Sequence, residues 1–221
     1  MIRIIKRIAY QILQKNNKSV ITRVKYDTGF SLLNYNINMK DDIRQEYLKI
    51  RKNISNKKEK SLIIKDRVLS LLDKYHVIGV YLSMDDEVRT DELIQELLNQ
   101  SKVVVVPKIE GHVINFYQIS SLNELNTSDN KFGIREPNSN IALKVKKDAI
   151  EAMIIPGIVF DTSLHRIGFG KGYFDKYLDN TNIYKIGICF DNQISNNIIP
   201  HHKYDVKMDV VVSEQRMIKD E

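Results

Sequence analysis

Arg166-Ile167-Gly168-Phe169-Gly170-Lys171-Gly172-Tyr173-Phe174-Asp175 places three glycines on alternate positions between two cations and a carboxylate. Glycines at that spacing let the backbone turn tightly and bring several N–H groups to one anion, and a helix starting at Tyr173 would add its positive end. Arg166 and Lys171 add full charges, each able to make a charge-assisted hydrogen bond to phosphate, about 1.5–3 kcal/mol. A carboxylate at Asp175, beside bound polyphosphate, suits Mg²⁺, which takes one or two carboxylates together with phosphate oxygens and water. The chemistry suggested is nucleotide binding. The plain alternative is a glycine-rich turn with surface charges and an Asp favoured by the helix dipole.

Two common phosphate motifs do not fit. A Walker loop requires Ser or Thr after its Lys, and Gly172 follows Lys171; the dinucleotide fingerprint requires G-x-G-x-x-G, and these glycines stand at 168, 170 and 172. The preceding segment, an apolar run from Ala152 to Ile155 and then Pro156-Gly157-Ile158-Val159-Phe160-Asp161, reads as a buried strand breaking into a polar loop.

Together these stretches closely resemble the signature of the 5-formyltetrahydrofolate cyclo-ligases, also called methenyltetrahydrofolate synthetases: P-G-x-x-F-D, a short loop, then R-x-G-x-G-x-G-Y-Y-D. Phe174 departs from it, standing where a second Tyr is common. The resemblance implies an ATP- and Mg²⁺-dependent ligase converting 5-formyltetrahydrofolate to 5,10-methenyltetrahydrofolate with release of ADP and phosphate. It implies ATP contacts from Lys40, Arg44, Arg166, Gly168, Phe169, Gly170, Lys171, Gly172 and Tyr173. Arg166, Lys171 and Tyr173 would act in catalysis, and Asp175 with Asp209 would hold Mg²⁺. Arg44, Met84, Glu87 and Tyr173 would touch the folate.

Further along the chain, Lys40 and Arg44 are four apart and share a helix face, with Ile43, Tyr47 and Ile50 at helical spacing. Such a pair is ordinarily a solvated face; in the family a K-x-x-x-R helix reaches the phosphates. Ser55 is placed to cap a second helix through Leu62, Ile63, Val68, Leu69 and Leu72, and Thr90 to cap a third with an acidic first turn. Val77–Leu82 and Val103–Val106 read as buried strands, Val113–Tyr117 as an alternating one. The loop Ser83–Arg89 follows the carboxyl end of a strand, where open α/β sheets bind ligands. It resembles the family's Y-x-S-x-x-x-E-V-x-T, with Arg89 where many relatives carry an acid. Gly133-Ile134-Arg135-Glu136-Pro137 matches a family turn and reads as a wall of the site or a rigid surface turn.

Strands alternating with helices predict an α/β fold, a three-layer Rossmann-like open sheet, mainly parallel and covered by helices on both faces. One domain is expected over 40–221, preceded by a basic extension at 1–39. That extension holds seven basic residues and one acid, leaving 27 of each over 40–221, so the net charge of +6 belongs to the extension. A nucleic-acid footprint would lie on the folded domain, so no nucleic-acid partner is expected. No apolar run approaches a membrane span. Residues 1–39 read equally as an organellar targeting segment, a plain basic extension, or sequence upstream of a true start at Met39. A mitochondrial or other organellar location follows from the first reading and a cytoplasmic one from the others. Cys189, the single cysteine, reads as a core thiol, and His201-His202 lack a metal partner at ligand spacing. A monomer is expected. Two other functions stay open: an ATP-using enzyme of this fold acting on a non-folate amide, and a non-catalytic module, RNA-binding among the options.

Overall fold

The computed structural model describes residues 32–127 and 135–220, with side chains over 39–126 and 135–220. Most of the extension, and Gly133 with Ile134 of the proposed wall, lie outside these. The chain forms two compact units, residues 1–41 and 42–221. The described part of the first is helical, the opening of α1 (Leu32–Lys52), and Lys40 there is half-buried.

In the second unit, α1 runs on to Lys52, followed by α2 (Lys57–Leu72), β1 (Val77–Val80), α3 (Asp91–Asn99), β2 (Val103–Glu110), β3 (Val113–Ile119), β4 (Leu125–Thr127), β5 (Arg135–Pro137) and β6 (Lys144–Val145). Then come β7 (Ala152–Pro156), β8 (Val159–Asp161), β9 (Arg166–Ile167), α4 (Tyr173–Leu178), β10 (Tyr184–Ile188), β11 (Ile194–Ser195), β12 (Val210–Val212) and β13 (Met217–Lys219). Eight strands form the main sheet in the order β13-β12-β10-β7-β1-β2-β3-β6. The five from β12 to β2 are parallel, and β13, β3 and β6 pair antiparallel at the edges. The α/β, mainly parallel architecture read from the sequence is the one observed.

The central strands are apolar on both faces because both are covered. Alternate residues divide between two cores. Ile78, Val80, Val104, Val106, Ile154, Ile186 and Val210 pack against Ile64, Val68 and Leu72 of α2 and Leu93, Ile94 and Leu97 of α3. Val105, Met153, Ile155, Cys189 and Val211 face Phe160, Leu164 and Leu178 on the other side. Cys189 is buried, and desolvation pushes its thiol pKa well up, so it is a core thiol.

Two expected caps form differently. Asn56, in the left-handed region at φ 55°, occupies the N-cap of α2 without a side-chain cap bond, so Ser55 does not serve. Thr90 is the N-cap of α3, but its hydroxyl donates to the Tyr81 carbonyl (2.8 Å) and accepts from the Ser83 N–H (3.2 Å). It staples the loop after β1 to the start of α3 instead of capping the helix. No described helix is long and apolar enough to cross a membrane.

Phe160 joins the sheet to the segment above it. Its fully buried ring lies against the bare backbone of both Gly157 and Gly187. A methyl added at Gly187 would sit 2.5 Å from the ring edge. Gly187→Ala should therefore destabilise the protein by about 1–3 kcal/mol through overpacking. Thermal unfolding should show it as a fall of roughly 2–4 °C per kcal/mol. An unchanged melting temperature would mean that Phe160 is free to move.

Candidate active site

The segment that carries the glycines is tied down by a buried carboxylate. Asp161, fully buried at the end of β8, accepts backbone N–H bonds from Ser163, His165 and Ile199, each 2.9 Å, and faces His165 Nδ1 at 3.1 Å. This closes the turn between β8 and β9 and sets the direction in which Arg166 leaves it. Gln193 does the same at the start of the segment, donating its side-chain amide to the carbonyls of Gly157 (3.1 Å) and Ile158 (2.9 Å). The His201 ring stacks on His165, centroids 3.8 Å apart.

Arg166 is buried, and three contacts hold its guanidinium. Nη1 donates to the carbonyl of Pro156, the last residue of β7 (3.1 Å), Nη2 donates to Asp175 Oδ1 (2.8 Å), and the group lies 5.9 Å from the centre of the Phe174 ring. Nε is buried with no hydrogen-bond partner among the described residues. Arg44, in α1, donates Nε–H to the Gly168 carbonyl (2.8 Å). Its helix is seated by Ile43 and Tyr47 on Val159, Ile167 and Ile199.

The glycines are what allow these approaches. A Cβ at Gly168 would stand 2.8 Å from Arg166 Nη1, and one at Gly170 3.3 Å from Arg44 Nη2. Gly170 and Gly172 also adopt positive φ, 90° and 66°, which side chains strongly disfavour. Gly172 is the N-cap of α4, which has only six residues. The positive end expected of this helix is correspondingly small. Lys171 is exposed and makes no hydrogen bond or ion pair among the described residues.

Asp175 lies in the first turn of α4. Its Oδ1 accepts from Arg166 and from the Val206 N–H (3.3 Å), and Oδ2 has no partner among the described residues. Asp209 stands just before β12, where Oδ2 accepts from the Lys185 N–H (2.7 Å) and ion-pairs with Lys185 Nζ (2.9 Å). Among the described residues, no group of three or more His, Cys, Asp or Glu could hold a metal on its own. Tyr173 is half-buried and packs on the core beside Phe174.

The loop 83–89 contributes from the other side. Glu87 is buried: Oε2 accepts the Met84 N–H (3.1 Å) and Oε1 pairs with Arg51 Nη1 (3.3 Å). Burial raises its pKa, against the lowering effects of the Met84 hydrogen bond and Arg51. Both oxygens are engaged, so Glu87 shapes the loop that carries Met84. Arg89 is exposed. The sequence reading passed over Arg51. It lies seven residues, two helical turns, after Arg44, so the two occupy one face of α1; that spacing was the available signal.

The sequence model of the 5-formyltetrahydrofolate cyclo-ligase family matches residues 36–214. The chain is 37% identical over 158 residues to a probable 5-formyltetrahydrofolate cyclo-ligase of Schizosaccharomyces pombe, covering 64% of this chain and 76% of that protein. It is 28% identical over 188 residues to the 5-formyltetrahydrofolate cyclo-ligase of Haemophilus influenzae, covering 80% and 99%. Among solved structures, the 5,10-methenyltetrahydrofolate synthetase of Aquifex aeolicus is similar at TM-score 0.68 and 28% identity, over 82% of this chain and 92% of that one. That of Mycoplasma pneumoniae, 22% identical with a TM-score of 0.64, shares the fold.

The glycine contacts give a direct test. In Gly168→Ala the new methyl meets the end of a flexible side chain, so Arg166 must shift while the core stays intact. Polyphosphate affinity, read by calorimetric titration, should fall roughly ten- to hundredfold, the equivalent of one charge-assisted hydrogen bond, with little change in melting temperature. Unaltered affinity would show that the Arg166 position is not set by Gly168.

Proposed function

Because the chain belongs to the 5-formyltetrahydrofolate cyclo-ligase family, we propose that it converts 5-formyltetrahydrofolate to 5,10-methenyltetrahydrofolate, consuming ATP and releasing ADP and phosphate. The observation that carries this reading is the pair of guanidinium groups, Arg44 and Arg166, brought against the glycine backbone of 168–170. A formamide oxygen is a poor leaving group, so the ring can close only once that oxygen is activated. Phosphorylation does this, and phosphoryl transfer is catalysed chiefly by positioning and charge stabilisation. Two fixed guanidiniums and a glycine-rich backbone supply both.

In this reading the formyl oxygen attacks the γ-phosphorus of ATP as the bond to ADP breaks, giving an O-phosphorylated iminium at N5. N10 then attacks the formyl carbon, its proton is lost to solvent, and the C–O bond breaks. Phosphate departs with the oxygen that began on the formyl group. Arg166 and Arg44 oppose the charge on the phosphates, and exposed Lys171 closes over them. The amides of 168–172 provide the cradle. Tyr173 borders the reacting formyl group, and Met84, on the loop shaped by Glu87, borders the pterin. The open Oδ2 of Asp175 fits a magnesium ion that is otherwise bound by phosphate oxygens, the usual arrangement for Mg²⁺; such an ion would neutralise phosphate charge. Asp209, held by Lys185, anchors the entry to β12 in this account.

The test is the near-ultraviolet absorbance of the methenyl product, measured with the full chain, 5-formyltetrahydrofolate and MgATP. Product should require ATP and vanish with EDTA. Arg166→Ala should lower turnover roughly 10²–10³-fold, the usual cost of one transition-state donor. Near-normal turnover in that variant would remove Arg166 from the mechanism. A folded, ATP-binding protein that forms no methenyl product would overturn the folate assignment and favour a non-folate amide. Salt-sensitive RNA binding without turnover would favour a non-catalytic module.

A further inference from the structure

Arg51 touches both loops of the site. Its Nη1 pairs with Glu87 Oε1 at 3.3 Å, and both side chains are only 5% exposed. Its guanidinium also lies 5.5 Å from the centre of the Phe169 ring, which stands between Gly168 and Gly170 and is 47% exposed. That distance is within the range of a cation–π contact. A guanidinium can meet both neighbours because it offers N–H groups at its edge and a flat face to a ring, a pre-organised geometry that the flexible lysine stem lacks. Nε is buried and has no hydrogen-bond partner among the described residues.

Glu87 in turn receives the Met84 N–H, so Arg51 fixes the conformation of the loop that carries Met84. Through the ring it also limits where the backbone of the glycine segment can lie. Phe169 is about half exposed and belongs to none of the buried core clusters, so the Arg51 contact is one that can hold its ring. The same helix face presents Arg44 to Gly168. One guanidinium therefore stands between the two loops.

We infer that Arg51 is a positioning residue that couples the two loops, so that binding of the formyl-folate at 83–89 tightens binding of the nucleotide at 168–172, and the reverse. This rests on the reading that these loops take those two substrates. Coupling of this kind is reciprocal and falls typically at about 5–150-fold in affinity. Folate-first ordering of the glycine segment would also keep ATP from being held productively, and lost to water, before its acceptor is present.

The experiment measures the affinity of a non-hydrolysable ATP analogue by calorimetry, with and without saturating 5-formyltetrahydrofolate, and then the converse titration. The unaltered protein should show the same enhancement, about fivefold or more, in both directions. Phe169→Leu, at an exposed position that the fold does not depend on, should bring the ratio close to one, and Phe169→Tyr, which keeps the ring, should preserve it. Arg51→Lys should lose it as well, with its melting temperature measured alongside. A merely structural role for Arg51 would not make the ratio follow the ring at 169. Two ligands that bind the unaltered protein without affecting each other, or a Phe169→Leu protein with the full ratio, would overturn the inference. Failure of the folate to bind at all would overturn the functional reading, and this inference with it.

Discussion

Two guanidinium groups lying against bare glycine backbone are the contact on which the site depends. Arg166 and Arg44 reach positions where a Cβ on Gly168 or Gly170 would stand 2.8 Å and 3.3 Å from their nitrogens. Positive charge on this scale is stable in a partly buried setting only when it is paired or hydrogen-bonded. The Pro156 and Gly168 carbonyls and the Asp175 carboxylate meet that requirement in the free protein. Arg166 remains a partial match, since its buried Nε has no hydrogen-bond partner among the described residues.

The remaining structure keeps those charges in place. Asp161 gathers three backbone N–H groups and a histidine to fix the turn before Arg166. Gln193 holds the carbonyls at the start of the same segment. Phe160 fills the space left by Gly157 and Gly187 and so locks the segment to the sheet. The buried carboxylate, amide and ring each act on backbone geometry, and their effect on chemistry runs through the arginines that the backbone delivers.

Much of this was legible in the residues. The central strands announced themselves as apolar runs because a parallel sheet covered on both sides has no polar face to show, and the glycine segment stood out because its cations and carboxylate frame it at fixed spacing. Local capping was misread. Thr90 has the right type and position for a cap, yet a buried carbonyl on Tyr81 competes for its hydroxyl, a tertiary demand that no local pattern reveals. The ion-pair partner of Asp209, Lys185, lies 24 residues away on the neighbouring strand, a pairing that no local pattern reveals. Arg51 offered only its seven-residue spacing from Arg44 as a signal. Its role depends on burial against Glu87 and Phe169, which the chain brings together only on folding.

In the proposed reaction, ring closure depends on activation of the formyl oxygen by phosphoryl transfer at the arginine-bound phosphates. The most direct measurement follows that atom: 5-formyltetrahydrofolate labelled with ¹⁸O in the formyl group is turned over with unlabelled ATP, and the released phosphate is analysed by mass spectrometry. The proposed reaction puts one ¹⁸O in each phosphate formed. Unlabelled phosphate, with the heavy oxygen recovered in water, would contradict it and leave ATP hydrolysis separate from ring closure.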